Sequence, residues 1–86
     1  MNTRRLIGWN LRALRVTRGL SQERLALDAG IDRSYVGRVE RGSENVTVSA
    51  LEALATVLDV PVRRLFDEVD DKAPLPKGLP SGRRPK

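Results

Sequence analysis

The chain of 86 residues contains no cysteine and no histidine. The first absence excludes a disulfide framework and any metal site built on thiolates. The second removes the side chain that most often acts as a general base or as a metal ligand. The sequence also lacks a glycine-rich phosphate loop and a cluster of inward-facing carboxylates. It therefore predicts a protein that is not an enzyme and that takes no cofactor, no metal and no small-molecule substrate.

Aromatic residues and long apolar runs are scarce as well. Phe, Tyr and Trp each occur once, so aliphatic side chains must form the core of one small domain. No stretch approaches the ~20 apolar residues that a membrane-spanning helix needs. The opening MNTRRLIGWN has no long apolar segment after its arginines, unlike a secretory signal. We therefore expect a cytoplasmic protein with no membrane partner.

What the chain has in excess is arginine. It carries 16 basic and 11 acidic residues, and 13 of the basic ones are arginine. Residues 1–66 hold 11 basic and 7 acidic residues, a net charge of +4, so most of the excess falls in the part predicted to fold. Arginine favours bidentate contacts with phosphate and with guanine. This composition indicates a nucleic-acid partner once an element is found that presents the arginines outward.

Residues 20–42, LSQERLALDAGIDRSYVGRVERG, predict two short helices joined by a tight turn. Ser21 suits the cap position before the first helix, which has an apolar stripe at helical spacing and ends at Gly30. Asp32 is predicted to cap the second helix, which runs from Arg33 to Arg41. The stripe of the first helix consists of Leu25, Ala26 and Ala29.

The second of these helices has an apolar side and a polar side. Val36 and Val39 lie three apart and are predicted to face inward. The opposite side forms one contiguous strip, which we predict to contact the edges of DNA bases. Gly37, within that strip, is less favourable than Ala in a helix by about 1 kcal/mol. Either it lets the helix sit deep in a groove, or it is simply exposed and tolerated. The strip consists of Arg33, Ser34, Gly37 and Arg38.

Residues 11–66 resemble the helix-turn-helix domain of phage repressors and Cro, the xenobiotic-response-element family. The resemblance implies an all-α, compact five-helix domain of the lambda-repressor type. Helices 2 and 3 would form the helix-turn-helix, with helix 3 in the major groove of DNA. The residues that carry the resemblance are Arg15, Gly19-Leu20-Ser21-Gln22, Leu25-Ala26, Gly30-Ile31-Asp32, Val36 and Val39-Glu40-Arg41-Gly42.

Three further helices complete the predicted domain. Helix 1 covers residues 3–18, Thr47 caps a helix 4 that runs to about Leu58, and Pro61 opens helix 5. Trp9 lies off the apolar stripe of helix 1, and either covers the edge of the core or forms a subunit contact. The residues predicted to be buried in these helices are Ile7, Leu11, Leu14, Val48, Leu51, Leu54, Ala55, Leu58, Leu65 and Phe66.

The resemblance also assigns roles outside the base-reading strip. It implies that Arg15 pairs with Glu40 and ties helix 1 to helix 3, since a partly buried charge needs a partner. It implies a phosphate contact for Gln22 at the start of helix 2. For Tyr35 the alternatives are a phosphate contact or packing against the turn. The residues predicted to hold the DNA backbone are Arg12, Gln22, Tyr35, Arg41 and Asn45.

The domain is predicted to span residues 1–69, and residues 70–86 to form a flexible, disordered basic tail rich in Pro and Gly. The arginines and lysine at the end of this tail either touch phosphates or belong to a solvated terminus. The implied function is a sequence-specific transcriptional regulator, a repressor or controller protein, that binds inverted-repeat operators in double-stranded DNA as a homodimer. The alternative is an antitoxin-type protein-binding module that also binds its own operator.

Overall fold

The computed structural model describes residues 1–70, and every regular element in them is helical. The predicted all-α fold of five helical segments is confirmed, with a 3₁₀ helix in the place of the fifth. Apart from Asp70, the predicted tail lies outside the described residues. No helix within residues 1–70 combines the length and apolarity needed to cross a membrane. The elements are α1 (Thr3–Thr17), α2 (Gln22–Ala29), α3 (Arg33–Arg41), α4 (Val48–Leu58) and the 3₁₀ helix η1 (Val62–Phe66).

Two of the three predicted helix caps are confirmed. The hydroxyl of Ser21 accepts the N–H of Arg24 at 2.9 Å, and that of Thr47 accepts the N–H of Ala50 at 3.0 Å. Asp32 was predicted to cap α3 in the same way, and this is wrong. Asp32 occupies the cap position, but its carboxylate makes no capping bond and the residue is exposed. Its backbone carbonyl alone opens the helix.

The core lies among α1, α2, α3, α4 and η1 and is almost wholly aliphatic. Burying one such side chain stabilises the fold by about 1.5–3 kcal/mol. The predicted stripes are confirmed except at Val48, which is 69% exposed, and Phe66, which is 41% exposed. The core residues with no exposed surface are Leu11, Leu25, Val36, Leu54, Leu58 and Leu65.

The two residues wrongly predicted to be buried both lie at the ends of helical elements. Val48 is the first residue of α4, a full turn before Leu51, and extends past the edge of the core. Side chains three apart share one side of a 3₁₀ helix, so Leu65 faces the core and Phe66 turns outward. Pro61 was predicted in the first turn of helix 5, but it precedes the short η1 as its cap residue.

Gly8 allows α1 to lie directly against the end of α3. A Cβ added there would come within 2.4 Å of the carbonyl oxygen of Val39 and 2.7 Å of that of Glu40. Both contacts are with backbone atoms, which have little freedom to move away. Only glycine permits this crossing, and the crossing fixes the direction in which α3 projects from the domain.

A buried amide joins α1 to the chain after η1. Asn10 is 7% exposed, and its Nδ2 donates to the carbonyl oxygens of Leu65 at 3.1 Å and Asp67 at 2.9 Å. Sequence reasoning did not single out Asn10, because Asn is usually exposed and the two carbonyl partners outside its own helix are more than fifty residues away. The bonds satisfy the buried amide and hold η1 on α1.

Candidate nucleic-acid interface

The turn between α2 and α3 consists of residues 30–32. Gly30 adopts the left-handed conformation with φ of +73°. The next residue, Ile31, donates its N–H to the carbonyl oxygen of Ala26 at 3.0 Å and packs against the core. This bond closes α2 and sends the chain into α3 within three residues. The result is a helix-turn-helix in which α3 lies on the outside.

A buried polar network holds α3 from behind. Arg15 donates from Nε to Oε2 of Glu40 at 2.6 Å and from Nη2 to Oε1 at 3.1 Å. Gln22 adds a third bond from Nε2 to Oε1 of Glu40 at 3.0 Å. The side chains of Arg15 and Glu40 are only 6% and 3% exposed. One carboxylate thus joins α1, α2 and α3, so α3 cannot rotate without breaking a buried ion pair.

The opposite side of α3 presents polar and basic side chains. Arg33 and Ser34 are exposed at its first turn, and the Arg33 side chain has no hydrogen-bond or ion-pair partner among residues 1–70. Arg38, one turn on, donates from Nε to Oε1 of Glu44 at 2.7 Å, and its side chain is 44% exposed. The helix therefore offers two arginines and a serine to a ligand in front of it.

Gly37 differs from the other members of the predicted strip, because it is buried. A Cβ built on it would meet Nη1 of Arg41 at 3.2 Å and Oε1 of Gln22 at 3.9 Å. The side chains of Arg41 and Gln22 therefore cover the middle of the helix. The predicted alternative of an exposed glycine is therefore wrong, while a close approach of the helix to a groove stays a prediction.

Tyr35 lies between α3 and the start of α4. Its hydroxyl oxygen accepts the N–H of Thr47 at 3.2 Å. The guanidinium carbon of Arg38 lies 5.6 Å from the centre of the ring, within the range of a cation–π contact. The structure thus places Tyr35 against the chain after α3, with its hydroxyl proton still available to an acceptor.

A cleft of about 330 Å³ separates α1 from the end of α3 and is rich in arginine. Arg5, Arg12 and Arg41 line it, and none has a carboxylate partner within residues 1–70. The only carboxylate in its lining, Glu40, is already taken by the buried network. Arg12 also holds the only buried side-chain nitrogen or oxygen without a partner in the described chain, its Nε. This cleft is a basic surface beside α3.

Arg5 belongs to this basic surface although sequence reasoning missed it. The sequence feature that could have identified Arg5 is its position seven residues before Arg12, two helical turns along the same side of α1. The ideal Cβ at Gly42 would lie 2.8 Å from Cγ of Arg5, so Arg5 touches the end of α3. Among the other residues predicted to contact the DNA backbone, Asn45 is exposed in the loop before α4.

Trp9 is half-buried and lines two clefts rather than one. The first is the basic cleft beside α3. The second, of about 420 Å³, lies between α1 and the chain after η1, where Arg64 and Asp67 form part of the wall. The indole therefore separates the basic surface from the C-terminal side of the described domain.

Comparisons with known sequences agree with this geometry. Residues 6–68 match the family described as "Helix-turn-helix domain". The control protein C.SmaI of Serratia marcescens is 42% identical over 66 residues, which cover 77% of this chain and 79% of that protein. A hypothetical transcription factor of Neisseria meningitidis serogroup B is 42% identical over 63 residues, or 73% of this chain. The chain spans 59% of the Neisseria protein's length.

Solved structures give the same result. The restriction-modification controller protein C.AhdI of Aeromonas hydrophila superposes with a TM-score of 0.72 and 52% identity, over 73% of this chain and 96% of that one. The biofilm regulator SinR, solved in complex with DNA, superposes with a TM-score of 0.68 and 37% identity, over 71% of this chain and 98% of that one. The chain therefore belongs to the Cro/repressor-like, xenobiotic-response-element family of helix-turn-helix transcriptional regulators.

Proposed function

We propose that this protein regulates transcription by binding a specific sequence in double-stranded DNA, with α3 in the major groove. The observation that carries the proposal is the two-sided character of α3. Its inner side is fixed by the buried pair of Arg15 and Glu40. Its outer side presents Arg33, Ser34 and Arg38. A rigid helix with donors on one side is the form of element that reads base edges.

The base-reading role belongs to Arg33, Ser34 and Arg38, with Gly37 between them adding no side chain of its own. An arginine donates two parallel hydrogen bonds to the O6 and N7 atoms of guanine, worth about 1–3 kcal/mol of discrimination. Arg38 retains both terminal nitrogens for this contact, because Glu44 engages only its Nε. Ser34 is short and exposed, and suits an adjacent base or phosphate.

The backbone-holding role belongs to the basic cleft and the residues around it. Arg12 and Arg41 line the cleft, and Arg5 is added to the predicted set. Gln22 keeps a second amide hydrogen for a phosphate while it binds Glu40. Tyr35 and Asn45 complete the contacts on the other side of α3. Because each neutralised phosphate releases counterions, binding will fall steeply with added salt.

The protein acts as a homodimer on an inverted repeat. One reading helix covers only a few base pairs, which gives weak specificity on its own. A two-fold dimer of the 1–69 unit would place two copies of α3 about 34 Å apart, one helical turn of DNA. Sedimentation of free and DNA-bound protein tests this directly. A monomer in both states at working concentration would rule the dimer out.

The similarity to C.AhdI and C.SmaI supports a role as a controller protein rather than an antitoxin-type module. Selection of bound sites from a random duplex pool tests the proposal most completely. We expect enrichment of one inverted repeat, with arginine-dependent guanines in each half. An Arg33→Ala, Arg38→Ala double variant should select no repeat, while an Arg63→Ala, Arg64→Ala variant on η1 should select the wild-type site. Failure of the wild type to enrich any sequence would refute the proposal.

A further inference from the structure

Glu44 is held beside Arg38 by the loop that follows α3. The N–H and the hydroxyl of Ser43 both bond to the carbonyl oxygen of Arg38, at 3.0 and 3.2 Å. Gly42 turns the chain with φ of +77° so that these bonds form. Glu44 follows immediately, and its side chain is only 22% exposed. The carboxylate is therefore brought to Arg38 by fixed backbone and is not a freely moving surface group.

Two contacts fix the guanidinium of Arg38 in the absence of DNA. Glu44 accepts from its Nε at 2.7 Å, and the ring of Tyr35 lies under its face. Tyr35 is itself held by the N–H of Thr47. Neither terminal nitrogen of Arg38 has a partner among residues 1–70. Glu44 thus occupies the part of the guanidinium that an end-on contact with guanine leaves unused.

We propose that Glu44 is a specificity-determining residue, which positions Arg38 for guanine and opposes binding to other sequences. This role rests on the proposed function. Ordering Arg38 in advance removes part of the entropy loss on binding the correct base. The carboxylate repels nearby phosphates, which weakens binding to DNA of any sequence. Guanine offsets this repulsion, because it bonds the terminal nitrogens of Arg38 while the Glu44 contact stays intact. Other bases at that position offer no such bond, so the repulsion there is not offset.

The chain contains a matched control for this pair. Arg64 donates from Nε to Oδ2 of Asp67 at 2.8 Å, and the two side chains are 44% and 47% exposed. The Arg64 pair has the same contact atom and the same arginine exposure as the pair of Arg38 and Glu44. It lies on η1, away from α3. An effect common to both pairs would reflect net charge, and an effect confined to Glu44 would reflect its position.

The test measures dissociation constants by fluorescence anisotropy at one salt concentration for Glu44→Ala, Glu44→Gln and Asp67→Asn. Three duplexes are compared: the selected site, the same site altered at the base pair that Arg38→Ala relaxes, and a random sequence. For Glu44→Ala we expect discrimination at that base pair to fall about fivefold and random DNA to bind about threefold tighter. Glu44→Gln removes the negative charge, so random DNA should bind more tightly. It keeps an acceptor for Nε of Arg38, so most of the discrimination should remain.

Asp67→Asn should leave discrimination and random binding at wild-type values. In an Arg38→Ala background, Glu44→Ala should cause no further loss of discrimination, since the two residues act as one unit. The proposal is overturned if Glu44→Ala keeps the wild-type discrimination at that base pair. It is also overturned if Glu44→Ala lowers the discrimination equally in the Arg38→Ala background. Wild-type protein that binds all three duplexes equally would instead defeat the proposed function. Circular dichroism of each variant shows whether a change in binding comes from unfolding. Glu44→Gln, which keeps the shape of the side chain, is the variant least expected to unfold.

Discussion

Two Arg–Glu pairs lie on opposite sides of α3 and have nearly the same length. Arg15 binds Glu40 at 2.6 Å on the inner side, and Arg38 binds Glu44 at 2.7 Å on the outer side. They differ in exposure: the side chains are 6% and 3% exposed in the first pair, and 44% and 22% in the second. Burial, and not bond length, therefore separates a pair that holds the helix from one that can face a ligand.

The physical basis of this difference is solvation. Removing one partner of a buried pair leaves the other charge without water or counter-charge, which typically costs about 3–5 kcal/mol. An exposed pair contributes about 0–1 kcal/mol, because water solvates each partner when the pair separates. Arg38 of the outer pair can thus turn its terminal nitrogens to DNA at little loss in folding stability. The inner pair has to remain intact for α3 to keep its orientation.

The largest expected effect concerns the inner pair. Glu40→Ala strands the Arg15 guanidinium in the interior and should lower the free energy of unfolding by about 3–5 kcal/mol. Glu44→Ala, which breaks the outer pair, should lower it by about 1 kcal/mol or less. Urea denaturation followed by circular dichroism measures both. Equal losses for the two variants would contradict the distinction drawn between the pairs.

A smaller effect, on binding rather than folding, is expected for Arg38→Ala. The variant should weaken binding to the selected operator by about 1–3 kcal/mol and relax the preference at one base position. Its free energy of unfolding should fall by about 1 kcal/mol or less, as for Glu44→Ala, because the same outer pair is broken. Arg64→Ala, with the same exposure and the same kind of pair, should change neither the affinity nor the base preference. An equal loss of affinity for operator and random DNA would show that Arg38 contacts the DNA backbone instead of a base.

The smallest effect is expected at the basic cleft. Arg41→Gln removes one proposed phosphate contact, so it should weaken all duplexes alike and reduce the slope of log K against log salt by about one. Arg63→Gln makes the same charge change on exposed η1 and should leave the slope at its wild-type value. Titrations at several salt concentrations give the slopes. A loss confined to one base position would contradict the backbone role of Arg41.

The inner side of α3 was largely predictable from the sequence. Apolar spacing placed Val36 and Val39 in the core, and Gly30 marked the end of the first helix correctly. These signals are local, since a helical period and a left-handed glycine act over a few residues. The same local signals failed at Val48 and Phe66, where an element ends and its neighbours no longer continue the stripe.

The outer side was less predictable, because it depends on contacts between elements. The contact of Arg38 with Glu44 requires the path of the loop after Gly42. The cover over Gly37 requires particular conformations of Arg41 and Gln22. A single sequence specifies neither. Arg33, Ser34 and Arg38 thus lie on the outer side of the helix as predicted, while the burial of Gly37 and the contacts of the individual side chains came only from the structure.

The most direct test of this account is a nuclear magnetic resonance titration that follows the arginine Nε–H signals as the selected operator is added. The account predicts a large shift for the Arg38 signal, together with the backbone amides of Arg33 and Ser34. The Arg15 signal should remain in place, because its pair with Glu40 is buried on the inner side of α3, away from the DNA. Shifts concentrated around Arg64 on η1, with the α3 signals unchanged, would contradict the account.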